Sequence, residues 1–560
     1  DARHSYNPSN GMNNLDEGHV SEANNNESPP RTDGIGRETR FWNKYVSSSF
    51  IGATASAISS SESGIILCFQ IFFRSLYLFF LFMPAIFLSP IAYFSIAFRS
   101  SVWFPLLQTS IAHSGAAFIK WGQWASSRPD IFSEKLCEQL AFLQSDAPTH
   151  AYSYTKQRVA AELGLSIEDA FASFEKEPIA SGSIAQVYRA ELRLPRSFCD
   201  DPKSLATCLP IPRPEPKHAT HQPASTTSTL PVAVKVRHPN VEQHIKLDFY
   251  IMRWLADLVD RVPGLGWLHL GESMSQFSSV IARQTDLTEE GRHLQRFNSH
   301  FSSPQWQDIG FPVPLVLSQS VLVESFVAGV SVKQVVSDPR RSVRHAHFIV
   351  TRGEDLYFKM LIHDNFMHAD LHPGNILFDR HRMALALVDA GMVTQPSADE
   401  RHNVIGLLEA LGEGLGGEAA DCILRFSQSR HSQKQRRAFR GDMERLFAAV
   451  CRGYHHHVSV AEVLTGVLQL VQQHEVSIGA NYATLLMNLI CLDGMAQQLL
   501  PTYNVLDGAK VPLRLHRLIS GVTRFLHLPR GFSQQWVQAV FPLVMRWKQR
   551  MDKKFLQKLM

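Results

Sequence analysis

The sequence predicts an α+β fold of two lobes, the first rich in strands and the second helical, with a helical extension ahead of the first and another after the second. Two runs dense in Val, Ile and Ala, within EPIASGSIAQVYRAEL and PVAVKVRHP, have the β-branched content of paired strands, and a third short strand, SVLVESFVAG, follows downstream. Helical patterning fills the interval from Val241 through Phe301. Beyond Gln395 nearly every segment reads as helix, and no internal repeat is evident.

The 560 residues suffice for one large domain with appendages. A composition of 45% hydrophobic and 19% charged residues suits a globular protein with some membrane character. The net charge of +4, with no basic stripe interleaved with aromatics, argues against a nucleic-acid partner. Seven widely spaced cysteines form no CxxC pair and read as reduced, structural thiols. The chain opens on Asp1, consistent with a targeting segment removed from, or left off, its N-terminus.

Taken in order, residues 1–62 are rich in Asn, Ser, Gly and Glu without a sustained apolar period, and are expected to be disordered because they cannot bury enough surface to offset their chain entropy. Residues 63–100 form a hydrophobic, membrane-associated or transmembrane segment. Within it Ser75–Phe98 has no charged residue and is long enough to cross a ~30 Å hydrocarbon core as a helix. Arg74 and Arg99 flank it as interface residues would, and Pro84 and Pro90 are tolerated better in membrane helices than in soluble ones. Hydropathy alone leaves open a helix pair that is buried or lies along a surface. Residues 101–170 are a helical extension, 171–330 the first lobe and 331–560 the second lobe with its own helical extension. Leu194–Leu230, crowded with Pro, Ser, Thr and His, reads as a surface insertion in a hairpin connection.

The chemistry is carried by His368-Ala369-Asp370-Leu371-His372-Pro373-Gly374-Asn375, followed by ILF and then LALVDAGMV. Phosphoryl transfer needs a carboxylate to orient or deprotonate the acceptor, oxygen ligands for Mg²⁺ and positive charge on the phosphates of ATP. Asp370 and Asn375, five apart on one loop, suit the first two tasks, and Asp389 after a hydrophobic strand suits a second metal ligand. Either acid alone reads as a surface carboxylate; the two acids and the amide in this order, separated by strand-turn-strand, do not. Upstream, Lys235 sits mid-strand in VAVKV, where a lysine is costly unless it faces a cleft. Its expected work is on the α- and β-phosphates, paired with a helix glutamate for which Glu290 is the best candidate and Glu289 the neighbouring alternative. Ala180, Ser181, Gly182 and Ser183 form the turn over the phosphates, and Glu324 on the third strand joins the nucleotide-binding set. That turn carries one glycine where an ordinary kinase is glycine-rich for backbone approach to phosphate. The expected fold is therefore two-lobed and protein-kinase-like.

HADLHPGN, the Ala/Ser turn, and Lys120-Trp121-Gly122-Gln123 followed by Ser127-Arg128-Pro129-Asp130 resemble the UbiB, or aarF-domain-containing, family of atypical kinases. Leu143-Gln144 and Asp146-Ala147-Pro148 fit the same pattern, which spans about Ala117 to Val393, and the chain is similar to the aarF-domain-containing kinase 2 branch. The resemblance implies a KxGQ extension folded over the acceptor side of the cleft, with Lys120, Gly122 and Gln123 as regulatory residues where a protein kinase admits peptide. It further implies ATP and Mg²⁺ as cofactors, ATP hydrolysis more than protein phosphorylation, and a mitochondrial, inner-membrane-associated role in coenzyme Q (ubiquinone) or related lipid metabolism. The partners implied are a membrane lipid or quinone-precursor ligand and coenzyme Q biosynthetic proteins.

Departures from that pattern are Ala390 in place of the Phe of DFG, Leu371 in place of proline, Gln284 where an acidic partner for the KxGQ lysine is common, and Ser181-Gly182 within the alanine run. None removes a metal ligand or the lysine. Two rival readings stand beside a kinase-like ATPase: a small-molecule phosphotransferase of the aminoglycoside or choline kinase type, and a nucleotide-gated lipid- or protein-binding scaffold. His455-His456-His457 reads as a solvated loop, since adjacent residues do not converge on one metal. Trp536–Met560 mixes apolar and basic residues, which suits either an anionic membrane surface or a terminal helix packed on the second lobe.

Overall fold

The strand Thr229–Arg237 organises the first lobe. It is β4 of a six-stranded antiparallel sheet ordered β1-β3-β4-β7-β6, with β2 paired to β3; the strands are β1 Phe171–Phe174, β2 Ala180–Ser181, β3 Ala185–Arg193, β6 Pro314–Leu317 and β7 Val321–Ser325. Side chains alternate across a strand. Val232, Val234 and Val236 therefore share one face of β4 and pack with Val159, Tyr188, Val321 and Val323. Ala233 and Lys235 take the other face, and the register Ala233↔Glu324, Lys235↔Leu322 sets Glu324 on that same face.

In this computed structural model the described residues are 62–126, 132, 134–141, 149–194, 229–263, 270–427, 431–451, 453–454, 459–476, 478–526 and 530–558. The expectations for residues 1–61, Ser127–Asp130, Leu143-Gln144, Asp146–Pro148, most of the 194–230 insertion and His455–His457 lie outside them. The described residues fall in one unit, Ser60–Met560.

Ahead of the sheet run α1 Glu62–Phe94, α2 Phe104–Ser114, α3 Ala116–Ser126, α4 Glu134–Ala141 and α5 Tyr152–Leu163. Helix α5 contributes Val159 to the core under the sheet, so the end of the expected 101–170 extension belongs structurally to the first lobe. The connecting helices are α6 Val241–Asp260, α7 Leu270–Gln284 and α8 Leu287–His300. Leu78, Ile111, Phe118, Phe249 and Phe277 from α1, α2, α3, α6 and α7 form one apolar cluster, which mounts the KxGQ helix α3 on α6 and α7.

Helix α1 begins well before Ser75 and is long and apolar enough over Leu67–Phe94 to cross a membrane. Pro90 has no N–H for the carbonyl of Ile86, and Ser89 Oγ donates to that carbonyl instead at 2.7 Å. Arg74 is a correction to the sequence reading. It is not an interfacial flank but the partner of buried Asp248 on α6, with Nε to Oδ1 at 2.7 Å and Nη2 to Oδ2 at 2.9 Å. Its Nη2 also donates to the carbonyl of Ser114. Gly115, at φ +103°, joins α2 to α3 at this point, and a Cβ there would meet the Arg74 guanidinium at 3.2 Å.

The second lobe holds the mixed sheet β5-β11-β10-β8, from β5 Ile309–Gly310, β8 Val330–Ser331, β10 Ile376–Asp379 and β11 Ala384–Leu387. The short pair β9 Met367–His368 and β12 Val393–Thr394 lies beside it. Strand β5, expected in the first lobe, thus joins the second. Around these pack α9 Val343–Phe358, α10 Ala398–Glu413, α11 Gly416–Phe426, α12 Gln433–Val450, α13 Val460–Gln473, α14 Ala480–Leu499, α15 Val505–Phe525 and α16 Arg530–Lys558.

Candidate active site

Lys235 is buried on the inner face of β4, and its Nζ reaches Glu290 Oε1 on α8 at 2.6 Å and Asp389 Oδ1 at 3.4 Å. Burial works against its charge, but Asp389, Glu290 and Glu324 together outweigh burial and raise it above the usual lysine range. Glu289 faces outward and pairs with Arg292, so of the two adjacent acids Glu290 is the one brought to the lysine. The charge of Lys235, reinforced by Lys120 on α3, holds the half-exposed Asp389 carboxyl well below its ordinary value against burial. The KxGQ helix thus delivers its lysine's charge to the Asp389 carboxylate, while Gly122 is buried at the helix interface and Gln123 is half-buried.

Glu324 is different. Burial, opposed by Lys235 and aided by Glu290 and Asp389, pushes its carboxyl up to about 8, and its Oε2 has no hydrogen-bond partner among the described residues. That shift favours its neutral form, which has a proton to donate.

His368, fully buried, holds the two catalytic-type loops together. The backbone N–H of Asp370 donates to its Nδ1 at 3.2 Å, which leaves Nε2–H to donate to the carbonyl of Asp389 at 3.0 Å. Burial lowers its pKa, in keeping with that neutral tautomer. The bond also restrains Asp389 at φ +61°, a left-handed conformation costing a non-glycine residue about 1–3 kcal/mol. Asn375 Nδ2 donates to the carbonyl of Asp370 at 3.1 Å, leaving Oδ1 as the acceptor of that amide, and the N–H of Val388 donates to the Asn375 carbonyl at 2.9 Å. One ionised carboxylate and one amide oxygen on linked loops fit a hard, oxygen-seeking cation such as Mg²⁺.

Three supports were not foreseen from sequence. Asn488 on α14 grips the HADLHPGN loop from below, its Nδ2 donating to the carbonyl of His368 at 2.7 Å while its Oδ1 accepts from the N–H of Leu371. His293 lies one helical turn after Glu290, and its Nδ1 contacts the carbonyl of Ala390 at 2.9 Å; that i,i+3 spacing was a signal in the sequence. Ala390, where a kinase carries Phe, is buried in the second-lobe core.

The third support lies beneath the phosphate turn. The Gly182 N–H donates to the carbonyl of Ala185 at 2.9 Å, and the hydroxyls of Ser181 and Ser183 are buried without partners among the described residues. Unsatisfied buried hydroxyls are costly; a phosphate or nucleotide oxygen would satisfy them. Ala180 and Gly182 are exposed. His238 holds the turn twice, through its backbone N–H to Ile184 and its Nε2 to Gly182, both carbonyl contacts at 2.9 Å. Its Nδ1 meets His150 Nδ1 at 2.7 Å, and the contacts continue from His150 Nε2 to Thr155 and Tyr188. The amide oxygen of Gln284 is buried without a partner among the described residues, and no acid stands in its place.

A two-lobed α+β core with a strand lysine, a helix glutamate and two linked acidic loops defines a kinase-like protein. Residues 142–196 and 220–414 match the ABC1 atypical kinase-like domain, and the chain carries a domain of that family. It is 28% identical over 524 residues to a mitochondrial ABC1 family protein of Schizosaccharomyces pombe, covering 84% of this chain and 74% of that one. It is 29% identical over 496 residues to the Dictyostelium discoideum protein named "Probable serine/threonine-protein kinase abkC", covering 76% of this chain and 66%, just under two thirds, of that protein. A "Probable protein kinase UbiB" of Histophilus somni is 23% identical over 411 residues, covering 72% and 69%.

Proposed function

We propose that this chain is a membrane-associated, Mg²⁺-dependent ATPase or phosphotransferase of mitochondria that supports coenzyme Q or related lipid metabolism. The observation that carries the nucleotide reading is the Lys235–Glu290 pair at 2.6 Å with Asp389 on the same ammonium at 3.4 Å. Lys235 binds and orients the α- and β-phosphates, and Glu290 fixes the lysine. Asp389 and Asn375 would hold Mg²⁺, which when bound neutralises phosphate charge. Ser181 and Ser183 satisfy their hydroxyls on phosphate oxygens. Asp370 orients or deprotonates the attacking hydroxyl, of water or of a lipid-phase acceptor. Lys120 and the KxGQ helix occupy the approach a peptide would use, which favours hydrolysis or a small acceptor over protein phosphorylation.

The exposed apolar face of α1, with Phe73, Phe80, Phe87 and Phe94 standing outward, supports the membrane association. Mitochondrial relatives among the yeasts support the location. The test is ATP hydrolysis by the full chain with Mg²⁺ and liposomes, beside Asp370→Asn and Lys235→Ala. Turnover lost in both variants upholds the reading. Tight Mg²⁺-nucleotide binding without turnover in any protein replaces it with a nucleotide-gated scaffold.

A further inference from the structure

Residues 510–558 carry eleven Lys and Arg against one acid, Asp552, and they form the last two helices, α15 and α16. The structure settles which way α16 faces. Val537, Phe541 and Met545 are buried in the second-lobe core, and Lys548 is buried beside them with its Nζ 2.6 Å from Asp355 and 3.2 Å from Glu354 on α9. Withdrawing either partner would strand buried charge, so this face stays docked.

The opposite face is therefore presented in a fixed orientation, and it is not the polar face of an ordinary surface helix. Trp536, Leu543, Trp547 and Met551 are all at least half exposed. At 3.6 residues per turn they lie within about 80° of one another. Arg546, Arg550, Lys553 and Lys554 are exposed along the flank of that stripe, and none is ion-paired among the described residues. Leu518 and Val522 on α15 and Leu526 just past its end repeat the i,i+4 spacing and are likewise exposed.

We infer that the outer face of the α15–α16 hairpin is a preformed docking surface for a bilayer carrying anionic lipids. Tryptophan rings seat at the headgroup level, aliphatic side chains enter the acyl boundary, and arginine and lysine meet anionic headgroups. The near-absence of acid over these 49 residues supplies the charge complementarity. This inference deepens the membrane association proposed above by naming its surface and lipid chemistry, and it is independent of the nucleotide site.

The experiment compares binding of the full chain to vesicles of phosphatidylcholine alone and of phosphatidylcholine mixed with phosphatidylglycerol, at low and high salt. The variants are Arg546→Glu/Arg550→Glu/Lys554→Glu and Leu543→Ala/Trp547→Ala, with the thermal midpoint checking that each folds. The wild type is expected to prefer the anionic vesicles, with the preference shrinking in salt. The charge-reversal variant should bind anionic vesicles about a hundredfold more weakly, from three charges of about 1 kcal/mol each, and phosphatidylcholine unchanged, since α1 remains intact. The double-alanine variant should weaken both. A folded charge-reversal variant that keeps the anionic preference overturns the assignment, as does a wild type that shows none. Loss in that variant of binding to polyglutamate, with no vesicle preference in the wild type, assigns the face to an acidic protein instead. A wild type that binds no nucleotide yet prefers anionic vesicles upholds this surface while removing the nucleotide reading.

Discussion

His238 and His150 share a 2.7 Å hydrogen bond between their Nδ1 atoms, and that bond reads out the protonation of the phosphate turn. Because His238 Nε2–H donates to the Gly182 carbonyl, His238 Nδ1 must accept, and His150 Nδ1–H must donate. His150 Nε2 then accepts from Thr155, and every group in the run donates once with both rings neutral. A proton added at His238 Nδ1 sets N–H against N–H, and one added at His150 Nε2 meets the Thr155 hydroxyl from which that nitrogen had accepted. Burial lowers both rings, and together with His238 takes His150 down to about 4.

The sign follows from those shifts. A base depressed below its ordinary 6.5 stabilises the fold above that value and loses the contribution as pH falls through the folded one. Fold stability should therefore decline as pH falls from 6.5 toward about 4, and affinity for Mg²⁺-ATP should drop near the low end of that window as His150 takes up its proton, beyond any change caused by the nucleotide itself. His238→Ala should raise the ATP KM about fivefold, the worth of one hydrogen bond of about 1 kcal/mol, with little change in kcat, and should flatten the acid limb. A KM profile that keeps the same acid limb in His238→Ala would sink this account.

Because burial favours the neutral form of Glu324, Glu324→Gln, which preserves the donor, should bind nucleotide as the wild type does, whereas Glu324→Ala should bind it more weakly. A raised carboxyl contributes stability that is complete below its unfolded value of 4.5 and lost as pH rises through about 8. Thermal midpoints should accordingly diverge as pH rises from 4.5 to about 8, in favour of the glutamine variant, and hold a constant gap above that. A gap between the two midpoints no wider at pH 8 than at pH 5 would show that Glu324 carries no such proton.

Asn488→Ala removes the grip on the HADLHPGN loop and strands the carbonyl of His368 and the N–H of Leu371. An unsatisfied buried group costs about 1–3 kcal/mol, and the thermal midpoint should fall to match. ATP hydrolysis should lose kcat and need more Mg²⁺ for its half-maximal rate, because the loop bears Asp370 and Asn375 but not Lys235. A variant with intact kcat would mean the loop is set by other contacts.

Arg74→Met leaves the buried Asp248 carboxylate uncompensated and should destabilise the chain by about 3–5 kcal/mol. Pairing it with Asp248→Leu should recover most of that loss. Chemical denaturation of the two variants decides the point, and a double variant no more stable than Arg74→Met would refute the pairing as the cause.

The candidate chemistry was legible in the sequence wherever one local segment had to contain it. HADLHPGN and DAG place an acid, an amide and a second acid around a short hairpin, and the strand alternation of VAVKV puts Lys235 opposite its valines. The choice of Glu290 over Glu289 rested on position alone, and only the packing of α8 showed that Glu290 turns inward while Glu289 meets Arg292. Arg74 misled the sequence reading because a lone arginine before an apolar run has the same signature whether it meets headgroups or a buried Asp248 174 residues away.

By itself the sequence determined the two-lobed α+β order, the lysine strand, the acidic loops and the apolar helix, because strand and helix periodicity and loop motifs are written within a few residues. The tertiary structure alone decided what spans the chain: His150 against His238, Asn488 beneath the HADLHPGN loop, and Lys548 pinning α16 so that its tryptophans face outward. Those relationships depend on which buried polar group finds its partner. A hydrogen bond or ion pair between residues dozens to hundreds apart leaves no period in either segment; it exists only once hydrophobic packing has set the helices and strands at their distances.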